Sequence, residues 1–196
     1  MRLVPPGPER CEIMMWTIPG TVLHADRSEV EKIPQQLEAL FFGGGITLSQ
    51  VTSITGLEAY TVQNWVKRGF LTSPVGKRYT LRQLCRILNI NMLRGAMPIE
   101  KICQLLSFVN GDLSDESDDM IDDSKLYFMF VSIAAGLKEL RDYEEGAKLL
   151  DAYLIDYAEP VPGARARVRQ VLKIMLTAYL AARMMQETEK MLNTLE

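Results

Sequence analysis

The stretch Thr47-Leu-Ser-Gln-Val-Thr-Ser-Ile-Thr-Gly-Leu-Glu-Ala-Tyr-Thr-Val-Gln-Asn-Trp-Val-Lys-Arg-Gly69 decides the fold. Thr47 and Gln50 form a capping box, in which a hydroxyl and an amide satisfy the orphan backbone groups at a helix start. Leu48, Val51 and Ile54 recur at helical spacing. Gly56 ends this helix, because glycine enters the left-handed region without steric cost. The pattern predicts a second helix from about Ala59 to Arg68, closed by Gly69. Val62, Trp65 and Val66 share its inner face, and Thr61, Gln63, Asn64 and Lys67 are polar. Two helices joined by a short glycine-containing turn make a helix-turn-helix unit.

Working outward, Phe70 to Tyr79 reads as short and irregular, with Pro74 and Gly76 in a hairpin. Thr80 and Gln83 are another capping box. They open a helix with Leu81, Leu84, Ile87 and Leu88 inside and Arg82 and Arg86 on its exposed side. Pro98 suits the first position of a further helix, which buries Ile99, Ile102, Leu105 and Leu106 and ends at Asn110-Gly111. Upstream, the first 27 residues are rich in Pro and Gly and lack periodicity, which predicts an extended lead-in. Ser28 and Glu31 form a capping box, and Pro34 fits poorly inside the helix they open. One kinked helix or two short ones should therefore end at Gly43-Gly44-Gly45. Downstream of the Asp-rich run 112–123, three helical patterns cover about 124–141, 143–159 and 164–196. The expected fold is mainly α, with four parts: an N-terminal extension (1–45), the helix pair with its hairpin (46–111), an acidic linker (112–123) and a C-terminal helical region (124–196).

Charge is distributed unevenly. Residues 46–97 hold seven basic side chains (Lys67, Arg68, Lys77, Arg78, Arg82, Arg86 and Arg94) against the single acid Glu58, while residues 111–159 hold fourteen acids against four bases. A polyanion is drawn to the first segment and repelled by the second. The composition, 47% hydrophobic and 24% charged, is that of a globular chain able to bury a core. No apolar run reaches the roughly 20 residues of a membrane span. Pro5, Pro6 and Pro8 stand where a signal peptide would carry its apolar run, which predicts a cytoplasmic protein.

The chemistry of an enzyme is hard to find. Cys11, Cys85 and Cys103 lie far apart, His24 is the sole histidine, and a zinc site needs clustered ligands. No glycine-rich phosphate loop or nucleophile with an adjacent base is apparent, so neither an enzymatic activity nor a cofactor is expected. The Asp-rich run lacks the EF-hand spacing and reads as a solvated linker or as acids at a helix N-terminus. Trp65 reads as core, and Met184, Met185 and Met191 read as packing residues.

The ordered series Ile46-Thr-Leu-Ser-Gln-Val51, Thr55-Gly-Leu57, Thr61-Val62, Lys67-Arg-Gly-Phe-Leu71, Lys77-Arg-Tyr-Thr80 and Pro98-Ile99 to Leu106 resembles the winged helix-turn-helix domain of the MerR family. That resemblance implies that the second helix enters the major groove and the hairpin acts as a wing bracing the DNA backbone. It departs from the family pattern where Gln63 and Asn64 replace a basic and an aromatic residue, where 45 residues precede the domain, and where an acidic segment delays the dimerising helix. The wider pattern also resembles an uncharacterised bacterial family, through Ile18-Pro-Gly20, Gln63-Asn-Trp-Val-Lys-Arg-Gly69, Arg86-Ile-Leu-Asn-Ile-Asn91 and the Asp-rich segment before Leu126-Tyr127.

The expected function is a DNA-binding transcriptional regulator, with Thr61, Gln63, Asn64, Lys67, Arg68, Lys77 and Arg78 as the candidate contact residues. The basic side chains would meet phosphates, and Gln63 or Asn64 is of a type that pairs with adenine. Singly, each base reads better as a solvated charge, and it is the cluster that points to DNA; Gln63 or Asn64 is equally a local backbone cap. The alternative is a protein-interaction module on the same fold without DNA contact. The apolar stripe Val168, Val171, Leu172, Met175, Tyr179, Ala182, Met185, Leu192 and Leu195 predicts a twofold homodimer through the last helix. The C-terminal region would also be the place for an unidentified small-molecule effector.

Overall fold

The computed structural model describes residues 15–113, 115–137 and 143–195. Among them the fold is mainly helical, with one small two-stranded sheet. The expectations placed on the first 14 residues, including Cys11, lie outside the described residues, as does the expected end of the helix near Arg141.

The N-terminal segment is not an irregular lead-in. Strands β1 (Met15–Thr17) and β2 (His24–Asp26) pair antiparallel, with Trp16 opposite Ala25. Strands of three residues are too short to show alternation in a sequence, so long-range contacts must hold this hairpin. Tyr127 Oη donates to the Pro19 carbonyl at 2.9 Å, and Asn91 Nδ2 donates to the Gly20 carbonyl at 2.8 Å. Gly20 lies at φ +76°, and a Cβ there would fall 2.4 Å from the Leu88 carbonyl oxygen. Only glycine permits that approach.

A 3-10 turn over Arg27–Lys32 leads into helix α1 (Ile33–Ala39). Of the two alternatives around Pro34, two short helices are present, the first of 3-10 type, and the second ends at Ala39, short of the expected Gly43. The cap is different from the expected Ser28/Glu31 box: the Asp26 carboxylate accepts from the Ser28 backbone N–H.

Helices α2 (Leu48–Thr55) and α3 (Ala59–Lys67) come next, joined by Gly56-Leu57-Glu58. Then come α4 (Leu81–Leu93), α5 (Ile99–Asn110), α6 (Asp123–Gly136), α7 (Tyr143–Tyr153) and α8 (Ala164–Asn193). The capping boxes at Thr47/Gln50 and Thr80/Gln83 both form, each with two reciprocal hydrogen bonds. Helix α7 stops at Tyr153, short of the expected 159.

Helix α4 is the axis of the molecule, packed chiefly against α6 and also against α2, α5 and α8. Its buried apolar side chains include Leu84, Ile87, Leu88, Ile90 and Leu93. Burial of each such side chain contributes about 1.5–3 kcal/mol. Its polar side chains reach backbone groups of several separate segments. Gln83 Nε2 donates to the Thr72 and Ser73 carbonyls. Arg86 Nε donates to the Phe70 carbonyl at 3.0 Å, Asn89 Nδ2 to the Asp123 carbonyl at 3.3 Å, and Asn91 to Gly20 and Thr55. The run Arg86 to Asn91 thus holds the exit from α3, the start of α6, the N-terminal loop and the end of α2 in register.

This arrangement corrects the placement of Arg82 and Arg86. Neither lies on an exposed side: Arg86 is buried, and Arg82 is largely covered. The acidic segment folds against them. Asp119 pairs with Arg82 at 2.8 Å, Glu116 with Arg82 at 3.2 Å, and Asp123 with Arg86 at 3.4 Å. Asp122 caps α6 by accepting from Ser124 and Lys125 backbone N–H groups. Part of the run is therefore the helix-terminal acid cluster anticipated from the sequence, and part is a clasp rather than a solvated linker.

Helix α8 divides in two. Val168, Val171, Leu172, Met175, Leu176, Tyr179 and Ala182 are buried within the chain, covering α5, α7 and α4. Beyond Arg183 the helix is exposed, and Met184, Met185, Met191, Leu192 and Leu195 are each more than half accessible. The three methionines do not fill packing gaps as expected. Among the described residues no helix is long and apolar enough to cross a membrane.

Candidate nucleic-acid interface

The position of α3 is set by its inner face. Val62 is fully buried and Trp65 nearly so, while Leu57 in the preceding turn is buried beside Val51 and Ile54 of α2 in one core. A helix anchored on one stripe presents the other. Tyr60, Gln63, Asn64 and Lys67 stand at i, i+3, i+4 and i+7, and all four are exposed. Thr61 lies at the edge of this face and is half-buried. Tyr60, 71% accessible, was not among the residues singled out from the sequence. Its spacing from Gln63, Asn64 and Lys67 was the available signal.

Arg68 lies just past the end of α3 and is already engaged. Its Nη2 donates to Glu100 Oε1 at 2.6 Å, and its guanidinium lies 4.6 Å from the centre of the Phe70 ring. Both members of the ion pair are about half exposed, so water and salt screen it and its net contribution is small. The Glu100 carboxyl is held below its ordinary range, first by a backbone hydrogen bond at the start of α5 and then by Arg68.

The hairpin closes through Gly76 (φ +56°) and Lys77 (φ +61°), with the Arg78 N–H donating to the Val75 carbonyl at 2.9 Å. Two successive positive φ values match the twist of a tight antiparallel hairpin. Lys77 is the non-glycine residue in this conformation among the described residues, and the turn leaves its side chain exposed. At the base, Ile46 and Tyr79 exchange backbone hydrogen bonds of 3.0 and 2.8 Å, which ties the entry of α2 to the exit of the hairpin. Arg78 is exposed, and its Nη1 donates to the Gly45 carbonyl at 3.0 Å.

Of the seven candidates, Gln63, Asn64 and Lys67 therefore share one exposed helix face with Thr61 at its margin, Arg68 caps that helix in an ion pair, and Lys77 and Arg78 stand on the hairpin. The basic excess read from the sequence is smaller on this surface than it looked. Arg82 and Arg86 are neutralised by the acidic segment, and Arg68 by Glu100. Lys67, Lys77, Arg78 and Arg94 make no ion pair among the described residues. The sequence missed these pairings because the hydrogen-bonded partners lie 32 to 37 positions away. Among the described residues no group of three or more His, Cys, Asp or Glu side chains is arranged to hold a metal ion.

The fold and surface define a mainly helical protein in which an acidic segment clasps α4, the helix that follows the helix pair and the hairpin. Residues 43–130 match the model of a family described as "Domain of unknown function (DUF1836)". The matched region runs from the approach to α2 through the acidic segment to Phe130 in α6, the same elements that α4 ties together. The chain is also similar to "Uncharacterized protein YkrK" of Bacillus subtilis (strain 168), at 31% identity over 80 residues, covering 39% of this chain and 34% of that relative. The alignment thus spans about a third of the relative's own length. No solved structure matches.

Proposed function

We propose that this protein is a DNA-binding transcriptional regulator that uses α2, α3 and the hairpin as a MerR-like winged helix-turn-helix. The observation that carries the reading is the exposed polar face of α3, where Gln63, Asn64 and Lys67 stand together with Tyr60, followed in the chain by a hairpin whose turn presents Lys77 and Arg78. Such a helix, laid in the major groove, offers amide side chains to base edges, and the flanking bases meet phosphates. Glu58 is the single acid in residues 46–97, and Glu100 pairs with Arg68, so the basic side chains Lys67, Lys77 and Arg78 support attraction for a polyanion. The exposed end of α8 would pair two copies about a twofold axis, so that two helices reach half-sites one helical turn apart.

A second reading is a protein-docking module on the same fold. It is favoured by the exposed apolar side chains of Tyr60 and Val75, 71% and 84% accessible, on the same two elements. A gel-shift titration of the full chain on random duplex DNA from about 50 to 200 mM salt separates the two readings. DNA binding through phosphates weakens steeply over that range as counterions are released. Absence of a shift at low salt overturns the DNA reading and leaves the docking module.

A further inference from the structure

A cleft of about 760 Å³ opens on the side of the molecule formed by the N-terminal hairpin, the end of α4 and the second half of α8. Trp16 and Tyr179 contribute aromatic surface, and Met185 adds an apolar, half-exposed wall. Its volume is that of a site for a small organic molecule.

The charged lining is one-sided. Arg27, Arg94, Arg183 and Lys190 face a single acid, Glu189. Arg27 lies 5.7 Å from the Trp16 ring centre and donates to the Leu137 carbonyl, a neutral acceptor. Arg183 lies 5.8 Å from the Tyr179 ring centre and donates to its hydroxyl at 3.3 Å, again a neutral group. Arg94 has no side-chain hydrogen bond or ion pair among the described residues. Lys190 is the exception, paired with Glu187 at 3.5 Å in an exposed position.

A second observation concerns Trp16 itself. The residue is 4% accessible, and its indole N–H is buried with no acceptor among the described residues. A buried donor left unpaired costs about 1–3 kcal/mol, so such a group is uncommon unless something supplies the acceptor. The cleft therefore combines aromatic walls, one of which holds the buried indole N–H, with three guanidinium groups that have no carboxylate partner among the described residues. What it lacks is an acceptor bearing negative charge.

We propose that this cleft binds a small organic anion, with its acidic head among Arg27, Arg94 and Arg183 and its apolar body against Trp16, Tyr179 and Met185. The wall of the cleft formed by Ile18 to Thr21 is also the loop that reaches the helix pair. Asn91 donates both to Gly20 and, at 3.0 Å, to the Thr55 carbonyl at the end of α2, and the Val22 N–H donates to the Ile54 carbonyl at 3.0 Å. An occupant of the cleft touches the segment that α2 rests on. That regulatory consequence rests on the DNA-binding reading, whereas binding itself does not.

The probe is 8-anilinonaphthalene-1-sulfonate, an aromatic anion, compared with N-phenyl-1-naphthylamine, the same body without the acidic group. Fluorescence titration of the full chain, without DNA, should give one saturable site for the anion and at least tenfold weaker binding of the neutral compound. Arg94→Ala and Arg183→Ala should each weaken the anion fivefold or more, and Arg94→Glu further still. Met191→Ser, which removes apolar surface from the exposed end of α8, should leave the anion's affinity unchanged. Equal affinity for the neutral compound, indifference to the arginine substitutions, or loss of binding in Met191→Ser would each overturn the proposal. Because no DNA is present, failure here is distinguishable from failure of the DNA-binding reading.

Discussion

Arg86 Nη1 lies 3.4 Å from Asp123 Oδ2, with both side chains 2% accessible, and this pair joins the middle of α4 to the first turn of α6. Burial pushes the Asp123 carboxyl up, and Arg86 and Arg82 oppose that shift. One oxygen of Asp123 and one terminal nitrogen of Arg86 have no hydrogen-bond partner among the described residues. The pair is thus incompletely satisfied, which is the situation in which removing one member costs more than removing both.

Asp123→Leu should lower stability by about 3–5 kcal/mol, because it leaves the buried Arg86 without its counterion, and Arg86→Leu should cost less, because Arg82 Nε still lies 3.9 Å from Asp123 Oδ2. The double substitution should cost clearly less than the sum of the two. Some loss will remain, because Arg86 also satisfies the Phe70 carbonyl. Urea unfolding of the four proteins checks this, and additive single effects would show that the two side chains are not coupled.

The neighbouring carboxylate sets a pH dependence. Desolvation pushes the Asp119 carboxyl up to about 6, outweighing the Arg82 guanidinium beside it. Its value in the unfolded chain is the ordinary one, about 3.9. The folded state then binds this proton more tightly, so the contribution to stability is fully present below about pH 4 and is lost as pH rises through about 6. Denaturation midpoints measured between pH 4 and 7 should fall less with rising pH in Asp119→Asn than in the parent. Identical slopes would place the titration elsewhere.

Legibility in the chain was a matter of range. Thr47/Gln50 and Thr80/Gln83, the Gly56 stop and the Gly76 turn are signals within a few residues, and each formed where expected. The hydrogen-bonded acids of Arg82 and Arg86 lie 37 positions away in sequence, and no local pattern announces them. The same holds for β1 and β2, which depend on Tyr127 and Asn91 for their anchorage. On the candidate surface, the helix face was legible from its period, but the neutralisation of Arg68 by Glu100 was not.

That neutralisation yields a test of the DNA reading with an unusual sign. Glu100→Gln removes the acid that holds Arg68 and frees a guanidinium at the end of α3. Binding to any duplex should tighten, and the salt dependence should steepen by about one counterion. Lys77→Ala with Arg78→Ala should do the reverse, weakening all sequences alike and reducing the slope by about two. Ala at Gln63 or Asn64 should instead cost about 1–3 kcal/mol on a cognate site and much less on random DNA. A Glu100→Gln protein that binds no better at low salt would remove Arg68 from the contact surface.

The assembly prediction concerns the end of α8. Truncation near residue 162 would not test it, because Val168 to Ala182 form part of the chain's own core and their loss would unfold the protein. Past Arg183 the situation changes. Met184, Met191, Leu192 and Leu195 are accessible to 53%, 65%, 63% and 80%, and no other element of the described chain covers them. This stretch of some 12 residues extends about 18 Å at 1.5 Å per residue. An apolar strip on a projecting helix, repeated by a twofold axis, is self-complementary, because each copy offers the patch the other needs. The full chain should therefore sediment as a dimer at micromolar concentration. Met191→Glu combined with Leu192→Glu should convert it to a monomer whose urea-unfolding midpoint at low concentration matches that of the parent, since neither side chain belongs to the core. In the DNA reading the same variant should lose the advantage of a paired site over a single half-site. A parent that is monomeric at this concentration, or a variant that dimerises as well as the parent, would show that the exposed end of α8 is not the contact.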